Sequence, residues 1–103
     1  MIYISIDVGI KNLAYIIYNS ETNEIIQWTI LELCQGNCNK INMIDLGKNL
    51  RQQFDDSISS YQFDKVIIEN QIGQNAIRMK TLQGMITMYF IQKNHNDIYY
   101  WNA

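Results

Sequence analysis

Two acidic residues, Asp7 and Glu69, have the side-chain type and the sequence context needed for metal-dependent chemistry. Asp7 ends the segment MIYISID, and Glu69 ends the segment DKVIIE. Carboxylate oxygens are the ligands that Mg²⁺ and Mn²⁺ prefer. If the two segments are neighbouring strands, about 4.8 Å apart, both carboxylates can hold a divalent cation. One such ion would activate a water for attack on a phosphodiester, and a second would stabilise the leaving 3′-oxygen.

Each of these residues also has a simpler interpretation. Asp7 could cap a turn before Gly9, and Glu69 could be an exposed strand end. The apolar residues that precede Glu69 favour a position near a buried region, where an unpaired charge is costly. Sites of this kind usually need three or four carboxylates, and the sequence places only two. Asp97 begins a predicted strand and lies at its other end, so we do not assign it to the site.

The first third of the chain predicts three strands that hold Asp7. Apolar and polar residues alternate in the first, and the next two are rich in aromatic and β-branched residues. Short polar turns separate the segments, so an antiparallel meander is expected. The predicted strands are Met1–Asp7, Asn12–Asn19 and Glu24–Leu33.

The remainder predicts two α/β units that hold Glu69. A helical stripe is followed by a strand at Asp64–Glu69, which should return parallel to the first strand and beside it. Asn42 is the expected N-cap of that helix. A second helix at Asn75–His95 and a fifth strand at Asp97–Trp101 complete the chain. The stripe consists of Met43, Leu46, Leu50, Phe54, Ile58 and Tyr61.

The order β-β-β-α-β-α-β is typical of an α/β, RNase H-like fold with a mixed five-stranded sheet. The 103 residues allow one domain, spanning residues 1–103. The second helix has more apolar positions than one core-facing stripe requires, so it is either buried on two sides or faces a partner.

Composition narrows the classes of function. Hydrophobic residues make up 48% and charged residues 17%, which indicates a globular chain. A net charge of −2 argues against a polybasic, sequence-blind nucleic-acid binder. No apolar run is long enough to span a bilayer and no signal peptide is visible, so we expect an intracellular protein without membrane contact. Cys34 and Cys38 are either part of a zinc site, a disulfide, or two reduced thiols.

Three segments resemble the Holliday junction resolvases of the poxvirus and mitochondrial type, in the RuvC branch of the RNase H-like superfamily. They are IDVGIKNLAY at 6–15, VIIENQ at 66–71 and AIRMKTLQGMI at 76–86. The third is the most discriminating, because an I-D-x-G pattern alone is widespread. The resemblance covers nearly the whole chain.

The resemblance implies a homodimeric, Mg²⁺-dependent (or Mn²⁺-dependent) endonuclease that nicks four-way DNA junctions in recombination and repair. The family's metal-binding Asp and Glu correspond to Asp7 and Glu69. Two further acidic residues of the family lie in a helix after the fifth strand, so we expect a chain truncated at its C-terminus with an incomplete active site. A viral factory, the cytoplasm or a mitochondrion would suit such an enzyme.

The loop after Glu69 and the helix that follows it carry groups suited to DNA phosphates. Solvated polar residues would look the same in sequence. The excess apolar surface of the Asn75–His95 helix is consistent with a dimer interface, or with a core helix that lacks its cover. The expected DNA-binding residues are Lys11, Asn70, Gln71, Gln74, Arg78 and Lys80.

Three other functions fit parts of the pattern. An actin-like ATPase shares the first strand and the subfold but needs a second lobe. A junction-binding protein without catalytic activity would keep the fold and the dimer helix. An RNase H or transposase relative would use the same metals on a different nucleic acid, because fold does not determine substrate.

Overall fold

The computed structural model describes residues 1–73 and 76–102. In these residues, five strands and two α-helices follow the predicted order β-β-β-α-β-α-β, with a short 3₁₀ helix at Cys38–Lys40. The strands are β1 (Ile2–Asp7), β2 (Asn12–Asn19), β3 (Glu24–Glu32), β4 (Lys65–Glu69) and β5 (Ile98–Trp101). The helices are α1 (Met43–Ser57) and α2 (Ile77–Gln92).

The strands form one mixed sheet in the order β3-β2-β1-β4-β5. Strands β1, β2 and β3 pair antiparallel, as expected from the short turns between them. Strand β4 lies parallel to β1, with Ile6 opposite Ile68, and β5 lies parallel to β4. The crossover through α1 therefore returns the chain beside its first strand, which brings the ends of β1 and β4 together.

Both helices contribute to a single core on one face of the sheet. The alternating residues Ile4 and Ile6 of β1 are buried, as are Leu46, Leu50 and Phe54 of α1. Phe54 meets Tyr89 of α2 edge-on and Phe90 at a tilted angle, which joins the two helices. Because α1 and α2 share this packing, the two helices are held together against the sheet.

Both helices end earlier in the sequence than predicted. Helix α1 begins as predicted, with the Asn42 side chain accepting from the backbone N–H groups of Ile44 and Asp45. It ends at Ser57, four residues before the end of the apolar stripe. Ile58 is nevertheless buried, because the turn after the helix directs it into the same core. Helix α2 is shorter than the predicted Asn75–His95, and Asn75 lies outside the described residues.

Several large apolar side chains remain exposed on the opposite face of the sheet. Trp28 and Ile30 on β3 and Trp101 on β5 are among them. Within residues 1–73 and 76–102, no helix has the length and hydropathy needed to cross a membrane. This face of the sheet is therefore open to solvent.

Candidate metal centre

Asp7 is the last residue of β1, and Glu69 is the last residue of β4. The parallel pairing runs from Tyr3 and Lys65 to Ile6 and Ile68, so the next residue of each strand is one of the two acids. Both carboxylates consequently lie at the carboxyl edge of the sheet, where ligands bind in open α/β sheets.

The local chain direction at Asp7 depends on a tight turn. After Asp7 the chain passes through buried Val8 and then Gly9 before β2 begins at Asn12. A Cβ atom on Gly9 would overlap with the backbone carbonyl oxygen of Asn12. Only glycine leaves room for this close approach, so Gly9 holds the turn that lets β2 return directly beside Asp7.

The carboxyl groups of Asp7 and Glu69 interact through a hydrogen bond when one of them is protonated. This contact raises the pKa of the Glu69 carboxyl, and burial and the negative charge of Asp7 raise it further. Two carboxylates this close repel each other when both are ionised, and either a shared proton or a cation relieves the repulsion. The arrangement is electrostatically suited to a divalent cation.

An open pocket of about 320 Å³ surrounds the acidic pair on the uncovered face of the sheet. Its walls are mostly apolar strand residues. They include Ala14, Ile16, Trp28, Ile67 and Trp101. Within residues 1–73 and 76–102, no group of three or more His, Cys, Asp or Glu side chains is close enough to hold a metal ion. The described residues thus supply two acidic oxygen ligands.

The segment that follows Glu69 is held by a residue that the sequence analysis missed. Gln83, on α2, is 8% exposed, and its Oε1 atom accepts from the backbone N–H of Gln71 at 2.7 Å. Its Nε2 atom donates to Oδ1 of Asn70 at 3.4 Å. The only signal in the sequence is a glutamine beside Leu82 in an apolar stretch, which does not reveal where its side chain points.

Comparison with known proteins identifies the family. Residues 1–98 match the sequence profile described as the poxvirus A22 protein. The chain belongs to the poxvirus A22 protein family. The resemblance predicted from the sequence is thereby confirmed. No curated protein sequence matches this A22 family chain.

Solved structures show that the fold of this A22 family chain is that of RuvC. The RuvC of T. thermophilus in complex with a Holliday junction substrate has a TM-score of 0.81 at 12% identity. That match covers 100% of this chain and 65% of RuvC. A second structure of Thermus thermophilus RuvC has a TM-score of 0.77 at 14% identity, covering 99% of this chain and 64% of RuvC.

A mitochondrial protein has the same fold at a lower score. The yeast mitochondrial Holliday junction resolvase Ydc2 has a TM-score of 0.65 at 19% identity, with 98% of this chain and 52% of Ydc2 covered. The predicted RNase H-like fold is confirmed by these matches. The A22 family chain spans about two thirds or less of the length of these proteins.

The residues expected to bind DNA occupy three different settings. Lys11 and Lys80 are exposed. Asn70 donates through Nδ2 to Asn102 Oδ1 at 2.7 Å, and the Gln71 side chain donates to the carbonyl oxygen of Glu69 at 3.2 Å.

Arg78 does not point freely into solvent. It is half-buried, and its guanidinium donates to the carbonyl oxygen of Ile41, just before α1. Gln74 lies outside the described residues. Among the described residues, Lys11 and Lys80 have no side-chain hydrogen bond or ion pair, whereas Asn70, Gln71 and Arg78 already hold protein groups.

Cys34 and Cys38 form a disulfide, with their Cα atoms 5.8 Å apart. Of the three alternatives left open by the sequence, the structure thus has the disulfide rather than a zinc site or reduced thiols. His95, the only histidine of the sequence, packs between Phe63 and Phe90. The histidine is consequently not available as a ligand beside the cysteines.

Proposed function

We propose that this protein is a structure-specific endonuclease that resolves four-way DNA junctions by metal-dependent hydrolysis of phosphodiester bonds. The observation that carries the proposal is the pairing of Asp7 with Glu69 at neighbouring strand ends in a chain of the poxvirus A22 family. The similar RuvC was solved with a Holliday junction substrate, and Ydc2 is a Holliday junction resolvase.

Asp7 and Glu69 would hold the metal ion, and their chemistry fits Mg²⁺ or Mn²⁺. Both present hard oxygen ligands, and the raised pKa of Glu69 reflects a repulsion that a cation would relieve. When bound, such an ion supplies Lewis acidity toward a phosphodiester. The prediction that two more acidic residues complete the site remains a prediction.

The residues of this chain would contribute binding and orientation. Lys11 and Lys80 are exposed and therefore available for DNA phosphates. The amides of Asn70 and Gln71 hold protein groups in this structure, so their roles in binding DNA stay predictions from the sequence. Roles for Gln74 and Arg78 in binding DNA stay predictions from the sequence, as does an intracellular location.

We also propose a homodimer that pairs through α2. Ile77, Met88 and Ile91 on this helix are each at least half exposed, and their spacing places them on one stripe. A two-fold enzyme matches the two-fold symmetry of a four-way junction, because each protomer then faces one of two equivalent strands.

A nicking assay tests the proposed activity. Labelled four-way junction DNA and a linear duplex of the same sequence are incubated with Mg²⁺ and the protein extended through the expected C-terminal helix, as the wild type, Asp7→Asn, Glu69→Gln or Glu24→Gln. We expect cleavage of the junction alone, and a reduction of roughly 100-fold or more in both site variants, since loss of an outer partner of a metal site already costs about 10–100-fold. Glu24→Gln, on the exposed start of β3, should cleave normally.

Junction binding measured in parallel separates the alternatives. Tight binding without any cleavage would favour a junction-binding protein that lacks catalytic activity. Equal cleavage of RNA–DNA hybrids would favour an RNase H relative. Cleavage that survives both Asp7→Asn and Glu69→Gln would disprove the assignment of the metal site.

A further inference from the structure

We infer that Gln83 is a positioning residue for the metal centre, and that it acts by fixing the backbone directly after Glu69. The inference rests on the proposed function of that centre. Gln83 does not touch the acidic pair in the hydrogen-bond network, and it lies on a different element, α2. Its influence would pass through the two residues that follow the metal ligand.

Three hydrogen bonds connect Gln83 to Glu69. The amide of Gln83 accepts from the Gln71 backbone N–H at 2.7 Å and donates to the Asn70 side chain at 3.4 Å. The Gln71 side chain then donates to the carbonyl oxygen of Glu69 at 3.2 Å. The chain therefore leaves β4 along a path that Gln83 and Gln71 define together.

Asn70 is held from a second side as well. Its backbone N–H donates to the carbonyl oxygen of Trp101 at 2.8 Å, which continues the pairing of β4 with β5, and its side chain reaches Asn102. Without the Gln83 amide, Asn70 would keep its hydrogen bonds to Trp101 and Asn102. The backbone N–H of Gln71 would lose its bond to Gln83. The segment after Glu69 would then be free to rotate on the side that faces α2.

The Gln83 side chain is buried, which makes its hydrogen bonds costly to lose. The side chain is 8% exposed and lies between the buried core positions of α2, so its amide cannot exchange its partners for bulk water at low cost. Helix α2 is in turn packed on α1 through Tyr89 and Phe54. Gln83 thus transmits the rigidity of the helical layer to the exposed sheet edge where Glu69 lies.

The test compares Gln83→Met with the wild-type chain. Methionine has similar length and volume and packs in apolar surroundings, but it forms neither hydrogen bond. The matched control is Gln27→Met, because Gln27 is a half-buried residue on β3 whose side-chain amide donates to Tyr15 and Thr29. Mn²⁺ affinity is measured from the paramagnetic broadening of amide resonances near Asp7, and hydrogen exchange is measured at the Gln71 amide.

We expect Gln83→Met to bind Mn²⁺ about tenfold more weakly, the lower end of the range for partners that orient metal ligands. The Gln71 amide should exchange faster while the amides within α2 keep their protection. Gln27→Met should match the wild type in both measurements. Unchanged Mn²⁺ affinity, or an unchanged Gln71 amide, in a folded Gln83→Met variant would overturn the inference.

The same experiment distinguishes failure of this inference from failure of the proposed function. If the wild-type chain shows no broadening by Mn²⁺ near Asp7 and Glu69, the metal centre itself is wrong. Exchange at the Gln71 amide still reports whether Gln83 holds the segment, independently of any metal. Unaltered exchange in Gln83→Met would exclude a positioning role in either case.

Discussion

The acidic pair at the sheet edge is a local source of instability in the metal-free fold. Asp7 and Glu69 face each other at a distance where a proton must be shared or one charge must be tolerated beside another. Groups that bind a cation often carry this cost before the cation arrives, because the geometry suits the bound state. The cost is measurable as a dependence of stability on pH.

Glu69→Gln should raise the free energy of unfolding of the metal-free protein at neutral pH. The pKa of Glu69 in the fold lies above its ordinary value of 4.5, so the folded state binds that proton more tightly than the unfolded state. The contribution to stability is therefore complete below 4.5 and is lost as the pH rises through the raised pKa. Urea unfolding between pH 4 and about 8 measures this decline, which glutamine removes.

Adding Mn²⁺ should reverse the order of the two proteins. A cation bound to the native site stabilises the wild type by mass action and leaves Glu69→Gln almost unaffected. Glu24→Gln serves as the control, because the exposed start of β3 is not part of the pair. A wild type that is more stable than Glu69→Gln without metal at neutral pH would contradict the repulsion argument.

His95 should make stability depend on pH in the opposite direction. Burial against Phe63 and Phe90 lowers the pKa of its imidazole from 6.5, although a hydrogen bond to the Phe90 carbonyl partly offsets the shift. The contribution of His95 is thus complete above 6.5 and is lost as the pH falls through the lowered pKa.

The pKa of His95 can be measured by NMR without overlap from other histidines. With a single histidine, the proton NMR titration of the imidazole is unambiguous and should give a midpoint below 6.5. His95→Gln should flatten the decline in the free energy of unfolding between pH 7 and about 5.5. A midpoint at or above the ordinary value would show that the ring is solvated rather than packed.

At the scale of the secondary-structure elements, the two helix glycines have different environments. A Cβ atom on Gly47 of α1 would lie 3.0 Å from Sδ of Met85, so this glycine lets α2 pack closely. A Cβ atom on Gly84 of α2 would meet nothing within 4 Å. The close contact between the helices therefore depends on Gly47, whereas Gly84 is open on its outer side.

Gly84→Ala should stabilise the isolated protein by about 0.5–1 kcal/mol, because alanine reduces the conformational entropy of the unfolded chain and clashes with no neighbour. Gly47→Ala should gain less or lose stability, since Met85 must move aside. Thermal and urea unfolding of both variants check the difference. A larger gain from Gly47→Ala than from Gly84→Ala would contradict the packing seen here.

Strand order and the acidic pair could be predicted from sequence because both follow from local rules. Short turns imply antiparallel neighbours, and a crossover through a helix implies a parallel return, so Asp7 and Glu69 must end adjacent strands. The end of α1 could not be predicted in this way. Ile58 keeps the helical spacing of the stripe, but it reaches the core from a turn beyond Ser57.

Contacts of polar side chains were the part that sequence reasoning could not supply. Arg78 is a residue type that commonly contacts DNA, yet its guanidinium donates to the carbonyl oxygen of Ile41, which lies 37 residues away in the sequence. Gln83 is a polar residue type that is common at solvated helix positions, yet it is buried. Which way a polar side chain turns depends on distant residues that only the assembled fold brings near.

At the scale of the whole molecule, α2 takes part in the core, in the support of the segment after Glu69 and in the exposed apolar stripe. Its inner side packs on α1, Gln83 at one edge holds the segment after Glu69, and Ile77, Met88 and Ile91 remain exposed. A dimer built on this exposed stripe would bury the side of the helix that the core does not use. The outer stripe and the metal centre would then be fixed by one rigid element.

Met88→Lys and Ile91→Lys should each convert the proposed dimer into a monomer. Both side chains are 50% exposed in the single chain, so a lysine there is tolerated by the monomer but would place a charge in an apolar interface. Ile25→Lys is the matched control, because Ile25 is a similarly exposed isoleucine on β3, away from α2.

Sedimentation velocity at micromolar concentration distinguishes the outcomes. The wild type and Ile25→Lys should sediment as dimers, whereas the two α2 variants should sediment as folded monomers. Because paired cleavage needs two active sites held at a fixed separation, the monomeric variants should also lose the simultaneous nicking of both junction strands while keeping Mn²⁺ binding. A wild-type monomer at these concentrations would rule out the α2 interface and leave the acidic pair to act in one protomer alone.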